Sequence, residues 1–241
     1  MEQRRAFTAS HHEPRTRHDD SSGPDRAIRN PPTTEVFLDR SFQTGYRDDM
    51  ARTKEFDPDA ALRAALDLFW RKGYEATSIQ DLVDHLGVGR ASLYATFGTK
   101  HELYLRALDR YCEEMNGKAN ALLFPQGDAL AAVKQLIRSF AEESATDPDR
   151  KGCFVTNTAV ECLPQDELAA RRVDIGMGGL ESAIAGALAQ AQSQGTLSAD
   201  KDPYSLARFL VTFTQGLRVL GHRPDRRRLT DAVNLALSLL D

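Results

Sequence analysis

Arg90, Ser92, Tyr94, Thr96 and Lys100 fall within eleven residues of one another, with Ala91 among them, and most carry a polar hydrogen on a short or forked group. A guanidinium can bridge two acceptors on a base edge or a phosphate. Hydroxyls donate singly, and an ammonium acts as a point charge on an anion. Arg90 and Thr96 suit base or groove contact, and Ser92, Tyr94 and Lys100, together with Thr77, suit phosphate positioning.

The elements that must hold these groups are legible around them, in TSIQDLVDHLGVGRASLYATFGTKHEL (77–103). Ile79, Leu82, Val83 and Leu86 recur at i, i+3, i+4 and i+7, one apolar stripe of a helix, with Thr77 expected as its N-cap. Gly87-Val88-Gly89 breaks that helix, since glycine tolerates the left-handed conformation that ends one. A second short helix is predicted from Arg90 to Phe97, anchored by Leu93 and Phe97. Thr99 and Glu102 then spell a capping box, which puts Lys100 at a helix N-terminus, where an anion is favoured. Upstream, a helix from about Asp57 to Arg71 has Pro58 at a permissive first-turn position and Leu62, Ala65, Leu66 and Phe69 on its stripe; Gly73 ends it. The alternative to a DNA reader at this point is a plain three-helix core with the same stripes.

From about Asp57 to Tyr111 the chain resembles the DNA-binding domain of the TetR/AcrR family of one-component bacterial regulators. The resemblance rests on AALDLFWRKGYEATS (64–78), the helix-turn-helix, and SLYATFGTKHEL (92–103), in order and without gaps. Thr96 departs from it, standing where many relatives carry a histidine or another larger polar residue. The resemblance implies an all-α protein with an N-terminal helix-turn-helix domain (50–111) and a larger effector-binding and dimerisation domain (112–241). Double-stranded operator DNA and a small-molecule effector are the implied partners. A pocket is implied behind the fourth helix, with Phe140, Cys153, Phe154, Asn157, Met177 and Phe213 as candidate lining.

Composition bounds the rest. The chain has 241 residues, 41% hydrophobic, and a net charge of −4, enough for a real core and too acidic to coat nucleic acid without specificity. Residues 52–111 hold nine Lys/Arg against nine Asp/Glu, so affinity must come from placement, with Arg52, Lys54, Arg90 and Lys100 on one side. No run approaches the roughly 18 apolar residues of a membrane helix and no apolar leader is visible, which predicts a cytoplasmic protein with no membrane partner. Residues 1–49 are rich in Arg, His, Asp, Ser and Pro without an apolar period, a composition that predicts disorder. Met50 followed by the basic Ala51-Arg52-Thr53-Lys54 suggests that translation starts there. The other reading of the tail is a DNA-touching arm using Arg4, Arg5, Arg15 and Arg17.

Beyond Gly117, where the fourth helix is expected to have ended near Asn116, helices are predicted near 127–145, 152–162, 166–194, 203–221 and 225–240. Leu206, Leu210, Phe213, Leu217 and Leu220 form a heptad-like seam, with Ala207, Val211 and Thr214 on a second face. The last helix carries Leu229, Val233, Ala236 and Leu240 on one side, and Ala232, Leu235 and Leu239 beside it. Helices apolar on more than one face need cover from more than one direction. A homodimer through the seam and the first of these last-helix stripes meets that need, and the resemblance implies the same arrangement; the alternative is that a single subunit covers both faces.

Other chemistry is thin. There is no Gly-rich phosphate loop, nucleophile elbow, zinc-type His pair or close Cys-x-x-Cys, so neither an enzyme nor a cofactor or metal site is expected. Cys112, Cys153 and Cys162 are an odd, widely spaced set, read first as small buried hydrophobes and alternatively as a sensor of oxidants, electrophiles or Cu(I), with Lys151 near enough in sequence to activate a thiol. Gly176, Gly178 and Gly179 are costly inside a helix and point to close helix approach, a kink or space for a ligand. Two readings of another class stay open, a protein-binding adaptor and a helical small-molecule carrier.

Overall fold

The computed structural model describes residues 56–124 and 127–241. Residues 1–49, Met50, and the arm with Arg52 and Lys54 lie outside the described residues. All regular structure among the described residues is helical: α1 (Pro58–Lys72), α2 (Ile79–Leu86), α3 (Arg90–Phe97), α4 (Lys100–Leu123), α5 (Ala129–Thr146), α6 (Phe154–Cys162), α7 (Glu167–Ser193), α8 (Pro203–Leu220) and α9 (Arg226–Ser238). Asp57, Asp128, Asp166, Asp202 and Asp225 cap α1, α5, α7, α8 and α9 by accepting first-turn amides. Each carboxylate pairs donors that the helix cannot satisfy and meets the positive end of its dipole.

Two expectations about helix ends are corrected. The cap of α2 is Ser78, whose hydroxyl accepts from the Asp81 amide while the Asp81 carboxylate accepts from the Ser78 amide. Thr77 is instead fully buried and donates its hydroxyl to the Gly73 carbonyl at 2.6 Å. The fourth helix does not stop near Asn116. It runs to Leu123, because Gly117 faces open space while Ala119 and Leu123 prolong the buried stripe.

Two apolar clusters hold the molecule. The first joins α1–α4, with Leu66, Phe69, Leu82, Leu93, Phe97 and Leu108 at its centre, to Cys153, Phe154 and Val155 at the start of α6 and Ala169 and Val173 on α7. Phe154 is its hub: its ring lies 5.4 Å from Tyr104, 5.8 Å from Tyr111 and 6.5 Å from Trp70. The second cluster is built from the rest of α4 and from α5, α7, α8 and α9, and Met115 and Met177 pack against both.

Close helix approach accounts for two of the three clustered glycines of α7, at 176, 178 and 179. A β-carbon at Gly176 would lie 2.5 Å from Cys112 Sγ, and one at Gly179 would lie 2.7 Å from Asn116 Nδ2, both on α4; at Gly178 there is open space. Side-chain-free positions let α4 and α7 pack together closely.

The expected dimer seam is also revised. Leu210, Leu217, Leu229, Val233, Ala236 and Leu240 are all buried inside this one chain. Ala207, Val211 and Thr214 turn inward with them, because α8 packs on α7 and α5, and α9 on α5. Of the expected residues, Leu206, Phe213 and Leu220 retain exposure. The apolar side chains facing outward here are Tyr204, Phe209, Val219, Leu220, Leu235 and Leu239, with Phe209 and Phe213 stacked at 6.0 Å.

Candidate nucleic-acid interface

The reading head is assembled by burial on one side of a very short helix. In α3, Leu93 and Phe97 are sunk into the first core, and Val88 fills the angle between α2 and α3. Gly87 adopts a left-handed φ of 64°, so the chain reverses within three residues. What remains outward is Arg90, Ala91, Tyr94 and Ala95, while Ser92 and Thr96 are half-buried on the flanks. The outward face is therefore smoother than the sequence reading drew it, with two alanines beside an arginine and a tyrosine; Ala95 was missed. Small residues on a helix of this kind permit close approach to a groove wall.

Arg90 is held in place. Its Nη2 donates to Gln80 Oε1 at 3.1 Å, and Gln80 Nε2 in turn donates to Asp84 Oδ1 at 2.8 Å, so α2 orients the guanidinium on the rim of α3. Gln80 had no signal of its own in the sequence. Its place one turn below Asp84 is the only local hint. Arg106 donates to the Thr96 carbonyl at 3.3 Å and closes the C-terminal end of α3.

The capping box is present as expected: Thr99 N–H donates to Glu102 at 2.7 Å and Glu102 N–H donates to the Thr99 hydroxyl at 3.1 Å. The Thr99 amide first, and then the Thr99 hydroxyl, which donates to the same carboxylate at 3.0 Å, hold the Glu102 carboxyl below its ordinary value. Lys100 follows the cap, with its ammonium 4.2 Å from the centre of the Tyr74 ring. Thr77, by contrast, is unavailable to any phosphate because its hydroxyl is buried and committed to Gly73.

The head is fastened to the helices behind it by polar contacts that do not follow from any local motif. The Glu161 carboxylate accepts the amides of Tyr74 at 3.0 Å and Glu75 at 2.9 Å. His101 Nε2 meets Asp166 at 2.7 Å, and Tyr104 and Thr158 share a buried hydroxyl pair at 2.8 Å. His101 is thus half-buried at this seam.

A second candidate site is a cavity of about 480 Å³ bounded by α1, α4, α5, α8 and the loop after α5. Of the side chains expected to line a pocket, only Phe140 lines this one. Phe154 and Asn157 face a smaller recess against α1, and Met177 packs between the two cores. Phe213 lies half-exposed on the outer face of α8, and Cys153 is buried beside the Tyr111 hydroxyl, which donates to its sulfur at 3.5 Å. The cavity draws instead on Trp70, Tyr111, Met115 and Arg218, from helices far apart in sequence.

All three cysteines are free and buried. Burial pushes the Cys112 thiol up to about 12 and raises that of Cys162, so both are protonated and weakly nucleophilic at neutral pH. Lys151 does not serve a thiol. Its ammonium pairs with Asp67 at 3.1 Å and Asp149 at 3.7 Å. Among the described residues no helix is long and apolar enough to cross a membrane.

Comparison with known proteins agrees with this geometry. The pattern described as "Bacterial regulatory proteins, tetR family" matches residues 61–107, and that described as "Tetracyclin repressor-like, C-terminal domain" matches residues 129–232. The chain is 40% identical over 198 residues to the uncharacterised HTH-type transcriptional regulator YezE of Bacillus subtilis, spanning 80% of this chain and all of that one. It is 33% identical over 169 residues to the HTH-type transcriptional repressor ComR of Escherichia coli, spanning 70% of this chain and 80% of ComR. A solved structure of the TetR family regulator CifR, a cysteine mutant bound to 26-bp double-strand operator DNA, superposes with a TM-score of 0.71 at 30% identity. It covers 79% of this chain and 100% of CifR. With a helix-turn-helix head matching the family's N-terminal pattern and a helical body matching its C-terminal one, the chain belongs to the TetR family of bacterial regulators, transcription factors and not enzymes.

Proposed function

We propose that this regulator is a ligand-responsive repressor, with a head over 50–111 and a body over 112–241, that binds a pseudo-palindromic operator as a homodimer in the cytoplasm and leaves it when an effector enters the cavity. The observation that carries the reading is the cavity wall itself: Trp70 belongs to α1 of the head and Met115 to α4, so an occupant touches the element that carries α3. A shift of α4 would change the separation of two heads that must sit about 34–36 Å, or a multiple of that, apart on successive grooves. Coupling of about 1–3 kcal/mol would alter operator affinity roughly 5- to 150-fold. Repression is supported by the naming of ComR as a repressor.

The dimer face in this reading is the outward stripe of α8 and α9, with Phe209, Phe213, Leu220, Leu235 and Leu239. Exposed large apolar side chains at helical spacing on two neighbouring helices favour a second copy over solvent. Arg90 reads bases or groove, Ser92 and Tyr94 position phosphates, Thr96 contributes from the flank, Ala91 permits approach, and Lys100 pairs with a phosphate. Burial of two thiols with raised values weighs against the alternative of a cysteine or copper sensor.

Fluorescence anisotropy on operator and random duplexes, across a salt series, tests the assignment of contacts. Lys100→Ala should weaken binding to both and reduce the salt slope by about one ion, whereas Arg90→Ala should cost about 1–3 kcal/mol on the operator and relax base preference. Equal losses on both duplexes for Arg90→Ala would remove it as a reader. A stable monomer in sedimentation at micromolar concentration would sink the two-headed mechanism.

A further inference from the structure

The cavity between α1, α4, α5 and α8, at about 480 Å³, is of a size that holds a small organic molecule. Its apolar wall comes from Tyr111, Met115, Leu122, Leu136 and Phe140. Its charged lining is balanced, with Glu114, Glu143 and Asp147 against Lys118, Lys151 and Arg218. What separates these groups is which of them are already committed.

Glu114 accepts from Arg110 at 2.8 Å. Asp147 accepts the amides of Asp149 at 3.0 Å and Lys151 at 2.6 Å. Lys151 is engaged by Asp67 and Asp149, and Lys118 is exposed to solvent. Arg218 is different. It is only 8% exposed, with its guanidinium carbon 4.5 Å from the centre of the Phe140 ring. Its one carboxylate neighbour is Glu143, at 3.5 Å, and that side chain is 61% exposed.

None of the five guanidinium N–H groups of Arg218 makes a hydrogen bond among the described residues. Burying a cation against a single distant partner is costly, so the donors are left on offer. A second unused donor stands in the same wall: Trp70 Nε1–H is buried and meets no acceptor, while no lining side chain has a buried acceptor left unmet.

We propose that the cavity takes a small organic monoanion, a carboxylate on an aromatic or aliphatic body, with the carboxylate forked onto Arg218 and the body resting on Phe140, Tyr111 and Leu136. This rests on the ligand-responsive reading above and adds its chemical class. The planar guanidinium fork matches a carboxylate, and an unused donor set calls for acceptors. A dianion is disfavoured by the three acidic side chains at the rim, which leave the lining neutral overall. Glu143 acts as a placeholder. Being mostly in solvent, it can give up Arg218 at little cost when a ligand carboxylate arrives.

Trp70 is the sole tryptophan, so its emission reports occupancy of the cavity without a label. The full chain is titrated with phenylacetate and hexanoate, each beside its neutral amide and the amine of matched length. The carboxylates should give saturable changes and bind about 10-fold tighter than the amides, a preference that Arg218→Gln brings close to parity. Glu143→Gln, at an exposed position that leaves the fold untouched, should raise carboxylate affinity about 2- to 5-fold, and an unchanged or lower affinity counts against the placeholder role. Amides or amines binding as tightly as carboxylates overturn the anion assignment and leave a responsive cavity standing. No saturable change with any probe up to roughly 10 mM overturns the proposal. Operator anisotropy in the same samples keeps the two ideas apart: a carboxylate that binds in the Arg218-dependent way without releasing DNA preserves the site and removes the switch.

Discussion

The reading head and the body behind it are made of similar capped helices, yet they present their functional surfaces in opposite ways. The head's surface is convex and local. Eight residues of α3 are pinned by Leu93 and Phe97, and what is not pinned faces out. The body's surface is concave and assembled from α1, α4, α5, α8 and a loop, so that Trp70 and Arg218, far apart in the chain, line one cavity. A convex site needs only a face. A concave one needs several elements to be right at once, and it inherits any movement among them. That is the arrangement the proposed ligand response requires, and in that reading the seam at α6 is what would couple the head to it.

The seam gives the first and largest way to break the comparison. Phe154→Ala removes the ring on which Trp70, Tyr104 and Tyr111 converge and should cost about 3–5 kcal/mol. Because that ring belongs to the body's sequence but to the head's core, thermal melts followed by helicity and by Trp70 emission should fall together. Early loss of one signal alone would mean that the two regions are independent.

The packing of α4 on α7 gives a sharper contrast within three residues. Gly176→Ala should destabilise by about 1–3 kcal/mol, since its β-carbon would press on Cys112 Sγ. Gly178→Ala, in open space within the same helix, should stabilise by about 0.5–1 kcal/mol. Denaturant midpoints would show both, and equal effects would rule out close approach as the reason for the glycines.

A smaller loss, about 1 kcal/mol, is expected for Glu161→Ala, which strips the acceptor from the Tyr74 and Glu75 amides. Its interest lies in function: if the seam transmits the signal, operator affinity should change more than stability does. The smallest effect is an acid one. Lys72 first, and then the Ser78 hydroxyl and amide, hold the Asp81 carboxyl well below its ordinary value. The stabilisation is therefore complete above the unfolded value of about 3.9 and is lost as pH falls through the lower folded one. The advantage of wild type over Asp81→Asn should shrink in melts taken below pH of about 4.

Much of the head was readable because its signals are local. The stripe of Ile79, Leu82, Val83 and Leu86, the glycines around Val88, and the Thr99–Glu102 box each act within one or two turns. The slip between Thr77 and Ser78 shows the limit of that legibility. Both are hydroxyls in register for a cap, and only the turn at Gly73, which draws Thr77 inward, decides between them. Gln80, which steers Arg90, and Glu161, which holds the head, gave no signal, since their partners lie on other elements.

What the amino-acid order settled alone is the set of helices, the turn between α2 and α3, the Thr99 cap of α4, and which residues share a face, because these follow from a period of 3.6 and from hydrogen bonds made within a turn. Which of two apolar faces of α8 and α9 turns inward was decided only when α5 and α7 came to lie against them. The same holds for Arg218, an unremarkable cation in the chain that becomes an offered donor once Phe140 and the cavity wall enclose it. Periodicity assigns a side chain to a face; burial depends on the neighbours that face meets, and those are set by the packing of the whole.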